Sequence, residues 1–358
     1  LNLFRKFLLL LLFGLFIIVV AACGGEELNS NSEVDASENA ETDDSVNAET
    51  ESNSEEIESI TIDVASVYED AAAPIQGTHM FAELVDEATD GRIQVNVFPA
   101  GSLGSENEIY EAVSSGDLDM VMGGFTGVDM YAPEYMYFIT PFLFSSKEHL
   151  ENAFYSELGD DMFESMKESN FQFLAANYRG VRHMTSNQAF SNPDELSNVR
   201  LRLPEIEAWV AAWSQIGATP TAVALPEMYS SLQTGVVDAS EGPFEQMATF
   251  NLEEVQDYLI LTEHVHEMVF LWINNGLFDS LSADDQNILQ DAAEEAMAYA
   301  DEQAEIDADV FYQQLVDGGM EVIEPDVASF VEKAQPVFAN FFEEKWNVTT
   351  LDEVNSYR

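Results

Sequence analysis

The chain has 358 residues, with 12 lysines plus arginines against 67 acidic residues and a formal net charge of -55. So acidic a surface lacks the positive groups that neutralise phosphates, which excludes nucleic-acid binding; it also stays dispersed in concentrated salt, so a saline habitat is expected. The single cysteine excludes an internal disulfide and a cysteine metal cage.

At the front, Arg5 and Lys6 precede a charge-free apolar run over residues 7–22, too brief to span a bilayer comfortably, which ends in Ala21-Ala22-Cys23. A basic head, a short apolar segment and small residues before a cut site describe an export signal. Cys23 directly after two alanines resembles a bacterial lipobox, so residues 1–23 are expected to be a lipoprotein signal and Cys23 the lipidated residue that tethers the protein to the outer face of the membrane. Residues 24–58 are almost entirely acidic and small, with no aromatic and no basic residue, and predict a disordered acidic linker. Residues 59–358 are long enough for one large body or two lobes with real cores.

In the folded part, residues 60–66 alternate apolar and polar side chains and predict a strand. Residues 74–89 carry Ile75, His79, Phe81, Ala82, Val85 and Ala88 on one stripe and predict a helix ended by Gly91. A strand at 93–98, a helix at 106–115 stopped by Gly116 and a strand at 118–122 follow, the alternation of a parallel sheet with crossover helices. Further strands are predicted at 171–178, 182–185, 199–203, 259–263 and 268–274. Helices are predicted at 205–216, 226–234, 283–316 and 327–344, the third ended by Gly318 and Gly319. The expected fold class is α/β, a bilobal body with a cleft between two α/β lobes, where small molecules bind.

Several segments, in order and spacing, resemble the solute-binding proteins of tripartite ATP-independent periplasmic (TRAP) transporters, of the dicarboxylate-binding type. They are Val95-Asn96-Val97-Phe98-Pro99 leading into Gly101-Ser102-Leu103-Gly104, then Glu111-Ala112-Val113, Gly116-Asp117-Leu118-Asp119 and Pro141-Phe142-Leu143-Phe144. Arg200-Leu201-Arg202-Leu203-Pro204, Gly217-Ala218-Thr219-Pro220, Glu227-Met228-Tyr229, Leu232-Gln233-Thr234-Gly235-Val236-Val237-Asp238, Glu254-Val255-Gln256-Asp257-Tyr258 and Thr262-Glu263-His264 complete the set. The resemblance implies a type II periplasmic-binding-protein-like fold with hinge strands and long C-terminal helices. Its first lobe would be about 59–180 plus 265–300, its second about 181–264 plus the C-terminal helices. It also implies closure on a small organic acid and delivery to integral-membrane permease subunits driven by an ion gradient. Some relatives take ectoine-type compatible solutes instead.

Four of the ten basic residues beyond the signal, Arg179, Arg182, Arg200 and Arg202, fall within twenty-four positions. In so acidic a chain an anion must be captured by something local and fixed, and a guanidinium offers paired donors that match a carboxylate. Arg202 matches the family's carboxylate-clamping arginine, with Pro204 and the strand to hold it. Arg182 corresponds to a second family arginine and is assigned the other oxygen or a second polar group of the ligand. Arg200 would share a face with Arg202, either beside the clamp or among surface acids, and Arg179 is expected to pair with surface acids. Glu241 would orient an arginine, accept from a ligand hydroxyl or serve structure alone. Gly242 stands where many relatives have asparagine, and the lost amide would leave space for a bulkier ligand tail. Phe244, Trp209 and Tyr68 are candidate cleft walls.

His264 and His266 are one piece of a metal site without an evident third ligand, so a structural role is favoured and no metal or cofactor is expected. No His-Glu-x-x-His, phosphate-cradling glycine loop or serine elbow is present, so no catalysis is expected. A ligand-binding protein feeding a sensor, a secreted hydrolase and a metal-binding lipoprotein are the other readings.

Overall fold

The computed structural model describes residues 59–358, so Cys23, the signal segment and the acidic linker lie outside the described residues. Strands β1 (Ile60–Ala65), β2 (Ile93–Phe98) and β3 (Met120–Gly123) run parallel, joined by helices α1 (Ala73–Ala88) and α2 (Glu106–Ser115). Local chemistry places these helices. Pro74 opens α1, where a missing N–H costs nothing, and Ser105 with Glu108 forms a capping box on α2, which Gly116 closes at φ 83°.

Three helices follow where none is predicted: α3 (Thr126–Tyr131), α4 (Lys147–Phe154) and α5 (Glu157–Glu168). Strands β4 (Phe171–Ser186) and β5 (Arg200–Leu203) lead to α6 (Glu207–Ile216), strand β6 (Thr219–Ala222), helix α7 (Met228–Gln233), strand β7 (Ala239–Gly242) and helix α8 (Phe244–Thr249). The chain closes with β8 (Tyr258–Asn274), α9 (Asn275–Ser280), α10 (Ala283–Asp317), β9 (Glu321–Ile323), α11 (Val327–Glu344) and α12 (Leu351–Asn355). Among the described residues no helix is long and apolar enough to cross a membrane.

All nine strands join one sheet in the order β2-β1-β3-β8-β4-β7-β5-β6, with β9 on β8. The wings, β1 to β3 and β5 to β7, are the α/β units expected. Between them, β4 and β8 pair antiparallel from Phe171↔Asn274 to Ser186↔Tyr258, with three register shifts. Here the sequence reading needs correction: the strands predicted at 171–178 and 182–185 are one strand, and so are those at 259–263 and 268–274. Arg179, Arg182, His264 and Glu267 interrupt the apolar pattern, yet all are buried, because each meets a partner of opposite charge or a hydrogen-bond partner within the fold, Glu241 and Glu245 among them. Gly180 at φ 126° and Glu263 at φ 46° carry the strands through these irregularities. Strand β7 was also hidden, since Ala-Ser-Glu-Gly reads as a turn, although all four residues are buried.

The main core runs along both faces of the sheet and includes Phe125, Phe154, Phe270 and Trp272 near one wing and Trp209 and Trp213 near the other. A smaller cluster of Met228, Leu232, Met247, Leu259 and Leu315 sits under α7, α8 and the end of α10. Helix α10 spans the two wings. Near its middle it lies so close to α1 that a Cβ on Gly77 would stand 2.8 Å from the Ala300 Cβ, and near its end the Gln314 amide donates to the Ala248 carbonyl in α8 at 3.3 Å.

Candidate functional site

A cavity of about 190 Å³ opens where the two wings face each other across β4 and β8. One wing contributes Tyr68 after β1, Glu106 at the start of α2 and Thr126 at the start of α3; the other contributes Arg202 on β5, Trp209 on α6 and Gln246 on α8. Arg179 and Arg182 of β4 and Glu267 of β8 line it from the shared strands.

Arg202 is held between Leu201 and Leu203, both fully buried, and is itself 2% exposed. Its Nε donates to the Val223 carbonyl at 2.9 Å, and no carboxylate among the described residues forms an ion pair with it. Burial pulls its pKa down to about 10, against the attraction of Glu241 and Glu106 and with the repulsion of Arg182. Such a cation stays charged at neutral pH but is poorly compensated. Arg200 shares its strand face, since side chains two apart point the same way, but lies at the exposed end, where it pairs with Asp238 at 2.5 Å.

Arg182 is occupied. Its Nε and Nη2 donate to the two Glu241 carboxylate oxygens at 2.6 and 2.8 Å, and its Nη1 donates to Glu267 at 2.7 Å. It therefore reaches the cleft with its charge already balanced, so the ligand contact expected of it would fall to what remains of Nη1. Arg179, expected among surface acids, is 4% exposed; it donates to Glu245 through Nε and Nη2 at 3.2 Å each and lies 3.9 Å over the Tyr68 ring.

Glu241 is not part of the cleft lining. It lies behind, orienting Arg182 and accepting from His264 Nε2 at 3.2 Å. Burial alone would raise its pKa, but Arg182 and His264 hold it at about 2. The space expected over Gly242 is filled: a Cβ there would stand 2.4 Å from the Gln246 amide, which donates to the Glu241 carbonyl at 3.0 Å. An amide is thus present, delivered from one turn into α8. Phe244 is not a cleft wall either. It borders a second cavity against α10 and stacks on His183 at 4.5 Å. Tyr68 and Trp209 do line the cleft; the Trp209 indole N–H donates to the Ile139 carbonyl at 2.7 Å, and its ring lies 5.0 Å from the Arg182 guanidinium.

His264 and His266 have different partners, Thr262 with Glu241 for the first and the Tyr178 hydroxyl for the second. The residues missed were Glu106, Glu267 and Gln246. Glu106 looked like a helix-start acid, Glu267 fell in the break between two predicted strands, and Gln246 had no motif; only the polar run from His264 to Glu267 within an apolar strand was a usable signal.

A sheet shared between two α/β wings, with a polar cleft across the strands they share, is the build of a hinged extracytoplasmic binding protein. The chain belongs to the bacterial extracellular solute-binding proteins, family 7, whose model matches residues 64–345. It is 34% identical over 273 residues to a solute-binding protein of Roseobacter denitrificans, covering 74% of this chain and 82% of that one. It is 27% identical to a C4-dicarboxylate-binding periplasmic protein of Rhodobacter capsulatus, covering 68% and 74%. A crystal structure of a TRAP periplasmic solute-binding protein from Roseobacter denitrificans with bound L-galactonate matches with a TM-score of 0.79 at 29% identity, over 83% of this chain and 99% of that one. These relatives are solute-binding proteins rather than enzymes.

Proposed function

We propose that the protein captures a small organic carboxylate in this cleft through Arg202 and delivers it to TRAP-type permease subunits, working from a lipid anchor on Cys23. The observation that carries the reading is Arg202 itself: a buried guanidinium facing the cleft with no carboxylate partner among the described residues. A ligand carboxylate would supply the missing charge at both terminal nitrogens, in the planar geometry a guanidinium favours. The acids bound by the relatives support the same chemistry.

Closure would proceed about β4 and β8, with one lobe of about 59–180 plus 265–300 and the other of about 181–264 plus the C-terminal helices. The ligand would favour the closed form because only there do both lobes touch it. Mass spectrometry of small molecules released from the purified protein, followed by calorimetry with the compound found, tests the reading. A carboxylate that binds wild type but not Arg202→Ala is the expected result. Equal binding to both proteins would sink it.

A further inference from the structure

The charges in and directly behind the cleft do not favour a second anionic group. Three guanidiniums, Arg179, Arg182 and Arg202, meet five carboxylates, Glu106, Glu205 and Glu267 in the lining and Glu241 and Glu245 behind it. Glu241, Glu245 and Glu267 already engage Arg179 and Arg182, so only Arg202 has an uncommitted charge. A ligand with two carboxylates would have to displace one of these glutamates or rest its second charge against them.

The same lining offers acceptors. Glu267 Oε2 is buried 3.6 Å from Arg179 Nη1 and has no hydrogen-bond partner among the described residues. A buried orphan oxygen of this kind calls for a donor. Glu106 accepts from the Gly124 N–H at 2.8 Å and the Thr126 hydroxyl at 2.7 Å, which leaves each oxygen a further lone pair. Ser105, Asn107 and the Gln246 amide add neutral polar groups to the lining. An ammonium would need a carboxylate of its own, whereas Glu267 already answers Arg182 through Oε1 and Glu106 already accepts from Gly124 and Thr126. Hydroxyls need only the lone pairs that remain.

Building on the carboxylate-capture reading above, we propose that the ligand carries a single carboxylate, clamped by Arg202, and a chain of hydroxyls that donate to Glu267 and Glu106. The substrate class is thus a polyhydroxy monocarboxylate of the aldonate type rather than a dicarboxylate. Glu267 and Glu106 are the residues that set this preference.

Calorimetric titration of the purified chain with L-galactonate, D-gluconate and D-erythronate, against galactarate, succinate and ectoine, tests it. Galactarate differs from L-galactonate only in having a carboxylate at the far end, so the pair isolates the second charge. The best aldonate is expected to bind at least about 100-fold more tightly than either dicarboxylate. Glu267→Gln, which preserves shape, should narrow that ratio to about tenfold or less; if this variant does not fold, Glu106→Gln should narrow it in the same direction. A dicarboxylate that matches the best aldonate, ectoine that exceeds it, no binding of any aldonate, or a ratio unmoved in the folded variants would overturn the proposal. Arg202→Ala separates the two levels. If it abolishes binding of dicarboxylates that wild type prefers, the aldonate class fails while carboxylate capture stands; if it changes nothing, carboxylate capture itself fails.

Discussion

Strands β4 and β5 each carry two arginines, and the four meet different fates. On β4, Arg179 and Arg182 are buried and enclosed by Glu241, Glu245 and Glu267; on β5, Arg200 pairs with Asp238 at the surface and Arg202 is buried without an acidic partner among the described residues. Residue type and burial do not separate Arg182 from Arg202. What separates them is whether the protein itself supplies the counter-charge. A compensated buried cation holds the shared strands together, and an uncompensated one is left for a ligand.

The sharpest way to break this contrast is to remove each arginine in turn. Arg182→Ala strands Glu241 and Glu267 in the sheet, and denaturant unfolding should show a loss of about 3–5 kcal/mol. Arg202→Ala frees only the Val223 carbonyl and strands no charge: its unfolding midpoint should hold or rise, while carboxylate affinity measured by calorimetry falls by about 2–5 kcal/mol. If the two variants lost stability equally, the distinction between them would be gone.

Smaller effects refine the picture. Gly242→Asn should destabilise by about 1–3 kcal/mol through collision with Gln246, and Gln246→Ala in the same chain should recover most of that loss in a thermal melt. Asp129 mirrors Arg202 with the sign reversed, because burial first and then Glu207 raise its pKa to about 6, only partly offset by Lys345. A raised carboxylate pKa means the folded state binds the extra proton, so this contribution to stability is lost as pH rises from about 4 to about 6. Asp129→Asn should accordingly be more stable than wild type above about pH 6, by roughly 1 kcal/mol after solvent screening, with the difference vanishing below about pH 4. Arg200→Ala, at the exposed end of β5, should change stability by less than about 0.5 kcal/mol and affinity not at all.

The sequence was most legible where structure is local. Periodicity and caps gave β1, α1, β2, α2, α10 and α11 within a residue or two, because each is a short-range pattern with its own stop signal. It failed where neighbours are distant in the chain. The continuity of β4 and β8 was masked by charges that look exposed in sequence, and β7 was masked by a composition that suits a turn.

By itself, then, the sequence determined an α/β body of this family and a cluster of arginines fit to hold an acid. Only the tertiary structure decided which of them is left without a counter-charge from the protein. Arg182 meets Glu241 and Glu267 across 59 and 85 residues of chain, a meeting arranged by the antiparallel pairing of β4 with β7 and β8. Coulombic pairing acts through space, and no spacing in the sequence records which glutamate the sheet will bring to which arginine.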